Sequence, residues 1–100
     1  MAQQELANAI LKSCEDVSQV LRSISHPVRL KSLCQLIDGE KSVGELTDFC
    51  KISQSAMSQF LGRMRDDAAL ESRRDGHHIF YSIADRKLLR LLKSIKDIYC

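Results

Sequence analysis

Hydrophobic residues recur every three or four positions between residues 6 and 24, which is the spacing of a helix with one apolar face. This set consists of Leu6, Ile10, Cys14, Val17, Leu21 and Ile24. The pattern predicts one continuous first helix. Because proline suits the first turn of a helix, a second helix is expected to start at Pro27, with His26 as a capping or interface residue rather than a ligand.

The second and third predicted helices are short and bounded by cap and stop signals. The stop signal Asp38-Gly39 ends the second helix, and the capping-box pair Ser42 and Glu45 starts the third. A break at Lys51-Ile52 separates the third helix from the next. The expected apolar residues are Leu30, Leu33, Cys34 and Ile37 in the second helix, and Val43, Leu46 and Phe49 in the third.

The fourth predicted helix, capped by Ser53, has one apolar and one polar side. Its expected buried residues are Met57, Phe60, Leu61 and Met64. The polar side carries glutamine, serine and arginine and is poor in acidic residues.

Strand-like sequence follows, and then a last helix. Residues 71–83 predict a β-hairpin with a turn at Asp75-Gly76 and a charged tip. From Asp85 onward, a final helix has an apolar arc that is wide enough to face both the core and a partner subunit. That arc comprises Leu88, Leu89, Leu91, Leu92, Ile95 and Ile98.

The order of these elements predicts the fold class. Two short helices joined by a tight turn and followed by a hairpin form a winged helix-turn-helix, in which the second of the two helices enters the major groove of DNA. The expected protein is mainly α with a small β-hairpin, and residues 1–100 form a single DNA-binding and dimerisation domain. A chain of 100 residues is small for a single core, so a homodimer is a natural expectation.

The charge distribution agrees with a nucleic-acid partner. The net charge is only +2, but residues 1–50 carry −2 and residues 51–100 carry +4. No stretch is apolar enough to span a membrane, so a cytoplasmic protein is expected. An enzyme is not expected, because no nucleophile, base and acid cluster and no phosphate-binding glycine loop is present.

The candidate DNA-binding residues have side chains that suit base edges and phosphates. Glutamine pairs with adenine, serine with several bases, and arginine with guanine or phosphate. The charged tip of the hairpin suits the DNA backbone or the minor groove, although a solvated loop is an equal alternative there. The candidates are Ser42, Ser53, Gln54, Ser55, Ser58, Gln59, Arg63, Arg65, Arg73, Arg74, His77 and His78.

The sequence resembles the ArsR-type winged-helix repressors over nearly its whole length. The segments that carry the resemblance are Ser25 to Leu30, Ser42 to Leu46, Ser53 to Gln59 and Ile79 to Ile83. The resemblance implies a dimer formed by the first and last helices, which binds an inverted repeat of double-stranded DNA and is released by an inducer. One departure is Asp67-Ala68-Ala69-Leu70, where relatives usually have a glycine.

The resemblance also suggests how an inducer would be sensed. Metal-binding relatives carry a CxC pattern on the third helix or Asp and His ligands on the last. Here Ser42-Val43-Gly44 contains no sulfur and the last helix retains only Asp85, so no metal or other cofactor is expected. A metal-sensing repressor and a winged-helix protein-interaction module remain alternatives.

Two cysteines match a different branch of the family. Cys34 and Cys100 resemble the paired cysteines of the persulfide-responsive (BigR and SqrR type) branch, in which reactive sulfur species link them by a disulfide or polysulfide bridge. The resemblance therefore implies a repressor that senses reactive sulfur or redox state. The alternative for Cys34 is a small core residue. Cys14 is expected in the core and Cys50 has no assigned role.

Overall fold

The computed structural model describes residues 2–100, which form six helices around a small sheet. The elements are α1 (Gln3–Lys12), α2 (Cys14–Ile24), α3 (Pro27–Leu36), β1 (Lys41–Ser42), α4 (Val43–Cys50), α5 (Gln54–Asp66), β2 (Leu70–Asp75), β3 (His78–Ile83) and α6 (Arg86–Tyr99).

A single hydrophobic core lies between α3, α4, α5, α6 and the sheet. Its most deeply buried large residues are Leu33, Leu46, Met57, Leu61, Met64 and Leu88. Burying one leucine or methionine stabilises a fold by roughly 1.5–3 kcal/mol, so these residues account for much of the stability. Helix α1 contributes no buried residue to this core.

The hairpin belongs to a three-stranded antiparallel sheet in the order β1-β3-β2. The sequence pattern did not predict β1, because two residues are too few to show an alternation. Lys41 pairs with Tyr81, and this register joins the start of α4 to the middle of the hairpin. The turn consists of Gly76 and His77, not Asp75 and Gly76 as predicted, and Gly76 takes a positive φ of 62° that favours glycine.

The prediction of one helix over residues 6–24 is wrong, because the helix breaks at Ser13. The N–H of Ser13 bonds to the carbonyl of Ile10, three residues back, and the backbone there leaves helical geometry at φ −110° and ψ 19°. Apolar spacing continues across the break, so the periodicity does not reveal it. The predicted core role of Cys14 is also wrong, since Cys14 is exposed.

The buried faces of α3 and α4 differ from the predicted ones by one or two positions. In α3 the structure buries Leu36 and Ser32, while Cys34 and Ile37 are exposed. In α4 two of the three predicted residues, Val43 and Leu46, are buried, but Phe49 is 50% exposed. The final residue of the helix, Cys50, is buried instead. Both faces are compatible with a spacing of three or four, and packing against neighbouring helices selects between them.

The cap predictions are confirmed. His26 Nδ1 accepts from the N–H of Val28 at 3.1 Å, and Pro27 occupies the first helical position of α3. Ser42 and Glu45 form the full capping box at the start of α4, where Ser42 Oγ accepts from the N–H of Glu45 and Glu45 Oε1 accepts from the N–H of Ser42.

The backbone at the end of α5 shows why a glycine would suit the position of Ala68. The N–H groups of Ala68 and Ala69 bond to the carbonyls of Arg65 and Met64, which is the Schellman arrangement. This arrangement requires a left-handed residue, and Ala68 takes a φ of 63°. An alanine therefore occupies the position that a glycine fills at lower cost.

Candidate nucleic-acid interface

Helix α5 has a fully buried side and a fully solvated polar side. Met57, Leu61 and Met64 are 0% exposed and fix the rotation of the helix. Phe60, predicted to be buried with them, is only half-buried. The exposed side presents the predicted residues Gln54, Ser55, Ser58, Gln59, Arg63 and Arg65.

The start of α5 has the chemistry of an anion-binding helix terminus. Ser53 caps it by accepting from the N–H of Ala56 at 3.1 Å. Neighbouring N–H groups of the first turn lack helical partners, and the helix dipole adds partial positive charge there. The first turn contains no acidic residue, so nothing on the helix opposes a phosphate at this end.

The turn between α4 and α5 holds the two helices of the motif together. Lys51 ends α4 in the left-handed conformation with a φ of 56°, and its N–H bonds to the carbonyl of Thr47 at 2.9 Å. Ser42 lies at the opposite end of α4, where it is half-buried and its oxygen is occupied by the capping box. Because this oxygen already accepts a hydrogen bond, Ser42 would contact a phosphate by donating its hydroxyl proton.

We call the hairpin of β2 and β3 the wing. Its four predicted contact residues lie in two places: His77 and His78 at the tip, and Arg73 and Arg74 on β2. His77 lies in the turn and His78 begins β3, and both are exposed at the tip. Arg74 is exposed on β2 and pairs with Ile79 across the hairpin. Both arginines were predicted at the tip but lie within β2, and Arg73 pairs with Phe80.

Arg73 is held by two partners. Its guanidinium forms an ion pair with Glu40, including a hydrogen bond from Nε to Oε2 at 2.9 Å, and stacks 4.5 Å from the centre of the Phe80 ring. The hydrogen bond from Arg73 is the main cause that lowers the pKa of the Glu40 carboxyl; desolvation opposes it, and the charge of Arg73 adds to it. The same hydrogen bond raises the pKa of Arg73. Glu40 therefore places a negative charge beside Arg73 at an exposed part of the surface.

Sequence reasoning missed a second group of arginines behind α5. Arg29 on α3 and Arg22 on α2 line a cavity together with Arg63. They share no signal in the sequence, because Arg22 and Arg29 lie on different helices that come together only in the folded chain.

The cysteines occupy different environments. Cys34 on α3 and Cys100 after α6 are exposed, and along residues 2–100 all four cysteines are free thiols. Cys50 is 8% exposed and lies 3.7 Å from the hydroxyl of Ser32. The interpretation of Cys34 as a core residue is wrong, because the buried face of α3 turns away from it.

Asp85, the one retained residue of the metal pattern, caps α6 by accepting from the N–H of Lys87 at 2.9 Å. In the described part of the chain, His, Cys, Asp and Glu form no group of three or more that could hold a metal ion. Within that same part, no helix has the length and apolar character needed to cross a membrane.

Comparison with known proteins identifies the family. Residues 26–67, from the cap of α3 to the end of α5, match the family described as "Bacterial regulatory protein, arsR family". The "Biofilm growth-associated repressor" of Xylella fastidiosa is 39% identical over 89 residues, which make up 89% of this chain and 78% of that protein. The chain belongs to the ArsR family.

Two further similarities extend this result to most of the chain. The "HTH-type transcriptional regulator YgaV" of Escherichia coli is 40% identical over 88% of this chain and 90% of its own length. The crystal structure of the transcriptional repressor BigR from Xylella fastidiosa superposes with a TM-score of 0.85 at 36% identity, covering 100% of this chain and 98% of that one. This ArsR-family chain is a transcriptional regulator with a winged helix-turn-helix fold, and not an enzyme.

Proposed function

We propose that this ArsR-family protein is a homodimeric repressor that binds an inverted repeat in duplex DNA through α5 and the wing. The observation that carries the proposal is the division of α5 into a buried apolar side and an exposed side of glutamine, serine and arginine. An exposed helix of this composition, preceded by a capped short helix, suits base edges in the major groove. As a regulator of bacterial DNA, it would act in the cytoplasm.

Exposed apolar side chains support the dimer. Along α1 and α2, Leu6, Ile10 and Leu21 are each about half exposed, and on α6 Ile98 is 74% exposed. Complete burial of an exposed large apolar side chain stabilises by roughly 1.5–3 kcal/mol, so a partner that covered these half-exposed residues would contribute about half of that for each. A second copy of the chain, packed through α1, α2 and α6, would cover them. Such a pair presents two α5 helices to two half-sites.

We further propose that Cys34 and Cys100 sense reactive sulfur. Their exposure supports this role, because a thiol must be accessible to react. When a bridge forms, the two thiols lose two electrons and two protons, and an organic trisulfide R–S–S–S–R accepts them. If the bridge is a disulfide, the trisulfide is cleaved to one thiol, R–SH, and one persulfide, R–S–SH. If the bridge is a trisulfide, the central sulfur of the donor stays between the two cysteines and both R–S groups leave as thiols.

The bridge would act through geometry. Cys34 lies on α3, which packs against the helix-turn-helix, and Cys100 ends α6, which belongs to the proposed dimer interface. Linking the two would change the spacing of the α5 helices in the dimer. Because both half-sites must be contacted at once, a small displacement would cost several kcal/mol of binding.

The test is release of DNA by a sulfur donor. Wild type, Cys34→Ser, Cys100→Ser and the control Cys14→Ser would be bound to a fluorescent duplex from upstream of the gene and treated with an organic polysulfide. We expect release of wild type and Cys14→Ser only, with a Cys34 to Cys100 link found by peptide mass mapping. Release that persists in both of the other variants would exclude this pair as the switch.

A further inference from the structure

A small pocket lies between α3 and α5, beside the polar side of α5. It has a volume of about 210 Å³ and is lined by Arg29, Gln59, Phe60 and Arg63. Two of these residues carry a positive charge, one carries an amide, and none is acidic. We call this cavity the arginine pocket.

The guanidinium of Arg29 is fixed in place but only partly bonded. One terminal nitrogen donates to the backbone carbonyl of Arg22 at 2.9 Å, and the guanidinium carbon lies 6.0 Å from the centre of the Phe60 ring. The carbonyl of Arg22 belongs to the last turn of α2, where the helix dipole favours a cation. The side chain is therefore oriented in advance of any ligand.

The Nε of Arg29 is buried and has no hydrogen-bond partner. A buried donor without an acceptor is costly, and more so when the donor is charged. Of the common ligand groups, an anion with several oxygens best satisfies such a donor, because arginine binds phosphate and carboxylate through two parallel N–H groups. Arg63 adds a second cation to the pocket and Gln59 a neutral donor.

The neighbouring acidic residues lie to one side. Asp66 and Asp67 line an adjoining cavity with Arg22, Arg29 and Arg63, not the arginine pocket itself. Asp66 also lies 3.7 Å from Arg65, which compensates part of its charge. Of the two cavities, the arginine pocket therefore has the more positive lining, because the adjoining cavity also contains two acidic residues.

We propose that the arginine pocket binds a phosphate group, with Arg29 and Arg63 as its charged ligands. The phosphate is either a phosphodiester of the DNA backbone or a free phosphate anion. Gln59 and Arg63 belong both to the pocket and to the exposed side of α5, so a DNA phosphate bound there borders the bases that α5 faces. If the phosphate belongs to DNA, this proposal rests on the proposed function. In that case Arg63 contacts the DNA backbone rather than a base.

The first experiment measures the salt dependence of binding to a non-specific 30-base-pair duplex. Each phosphate contact contributes about 0.9 to the slope of log affinity against log salt concentration. We expect Arg29→Gln to lower the slope by about one per chain and to weaken binding roughly tenfold at low salt. The control is Lys31→Gln, which removes an exposed positive charge two residues further along α3. Equal effects of the two variants would exclude the DNA backbone as the source of the phosphate.

The second experiment uses the wild-type protein and does not depend on how a variant folds. The Nε–H resonance of Arg29 would be followed by nitrogen-15 NMR during titration with inorganic phosphate and, separately, with the duplex. A shift with phosphate identifies a free-anion site, and a shift with the duplex alone identifies the DNA backbone. No shift with either ligand would overturn the proposal.

The two proposals fail in different ways. If the wild type binds the duplex while Arg29→Gln keeps the full salt slope and the Nε–H resonance stays unchanged, only the arginine pocket is excluded. If the wild type binds no duplex, the proposed function fails, and the phosphate titration alone decides whether the pocket binds an anion.

Discussion

Arg73 of the wing and Glu40 of the loop before β1 form an ion pair, with Nε and Oε2 2.9 Å apart. The pair fastens β2 to a segment 33 residues earlier in the chain. The pair also distinguishes the two neighbouring arginines of the wing, because Arg74 has no carboxylate partner among the ion pairs of residues 2–100. We expect Arg73 to position the wing and Arg74 to contact DNA.

Replacing the two arginines separately tests this division. Arg74→Ala is expected to weaken DNA binding several-fold and to lower the salt slope by about 0.9 per chain, since it removes a charge free to contact a phosphate. Arg73→Ala should leave the slope closer to the wild-type value, because Arg73 already has Glu40 as a carboxylate partner. Fluorescence anisotropy at several salt concentrations measures both. A larger slope change for Arg73→Ala would contradict the assignment.

The ion pair also has a predicted pH dependence. Arg73 lowers the pKa of Glu40 in the folded protein, so the interaction is complete above the ordinary glutamate pKa of about 4.3 and is lost as the pH falls through the lower folded value. Carbon-13 NMR of the Glu40 carboxyl should give a midpoint below about 4.3. In Arg73→Met the midpoint should rise toward the ordinary value, and an unchanged midpoint would show that Arg73 is not the cause.

The left-handed residue at the end of α5 predicts a stabilising substitution. Ala68→Gly relieves a strain of roughly 1–2 kcal/mol but adds chain entropy to the unfolded state, so the free energy of unfolding should rise by up to about 1 kcal/mol. The matched control, Ala69→Gly, is the adjacent residue, which is buried and has no positive φ, and it should destabilise the protein. Urea denaturation of both variants distinguishes them. A loss of stability in Ala68→Gly would contradict the analysis of this turn.

Sequence reasoning located the elements that depend on local signals. The capping residues His26, Ser42 and Ser53 each bond to a backbone N–H nearby, so a pattern of a few residues is enough to predict them. The division of α5 into two sides was also predictable, because a long helix gives its apolar period several repeats. The candidate DNA-binding residues of α5 follow directly from that period.

Features that depend on distant parts of the chain were not predictable in this way. Glu40 and Arg73 are brought together only by the sheet register, and the exposure of Cys34 depends on which face of α3 packs against α4. The pocket at Arg29 requires the crossing of α3 and α5. In each case the deciding contact joins segments whose sequences contain no mutual signal.

The most direct test of the central claim compares two duplexes. Dissociation constants would be measured for DNA from upstream of the gene and for a scrambled duplex of equal length, with wild type, Gln59→Ala and the control Gln3→Ala, a substitution in α1. The account predicts that wild type and Gln3→Ala prefer the upstream DNA and that Gln59→Ala loses much of this preference while remaining folded. An unchanged preference in Gln59→Ala, or no duplex binding by the wild type at low salt, would contradict DNA reading by α5.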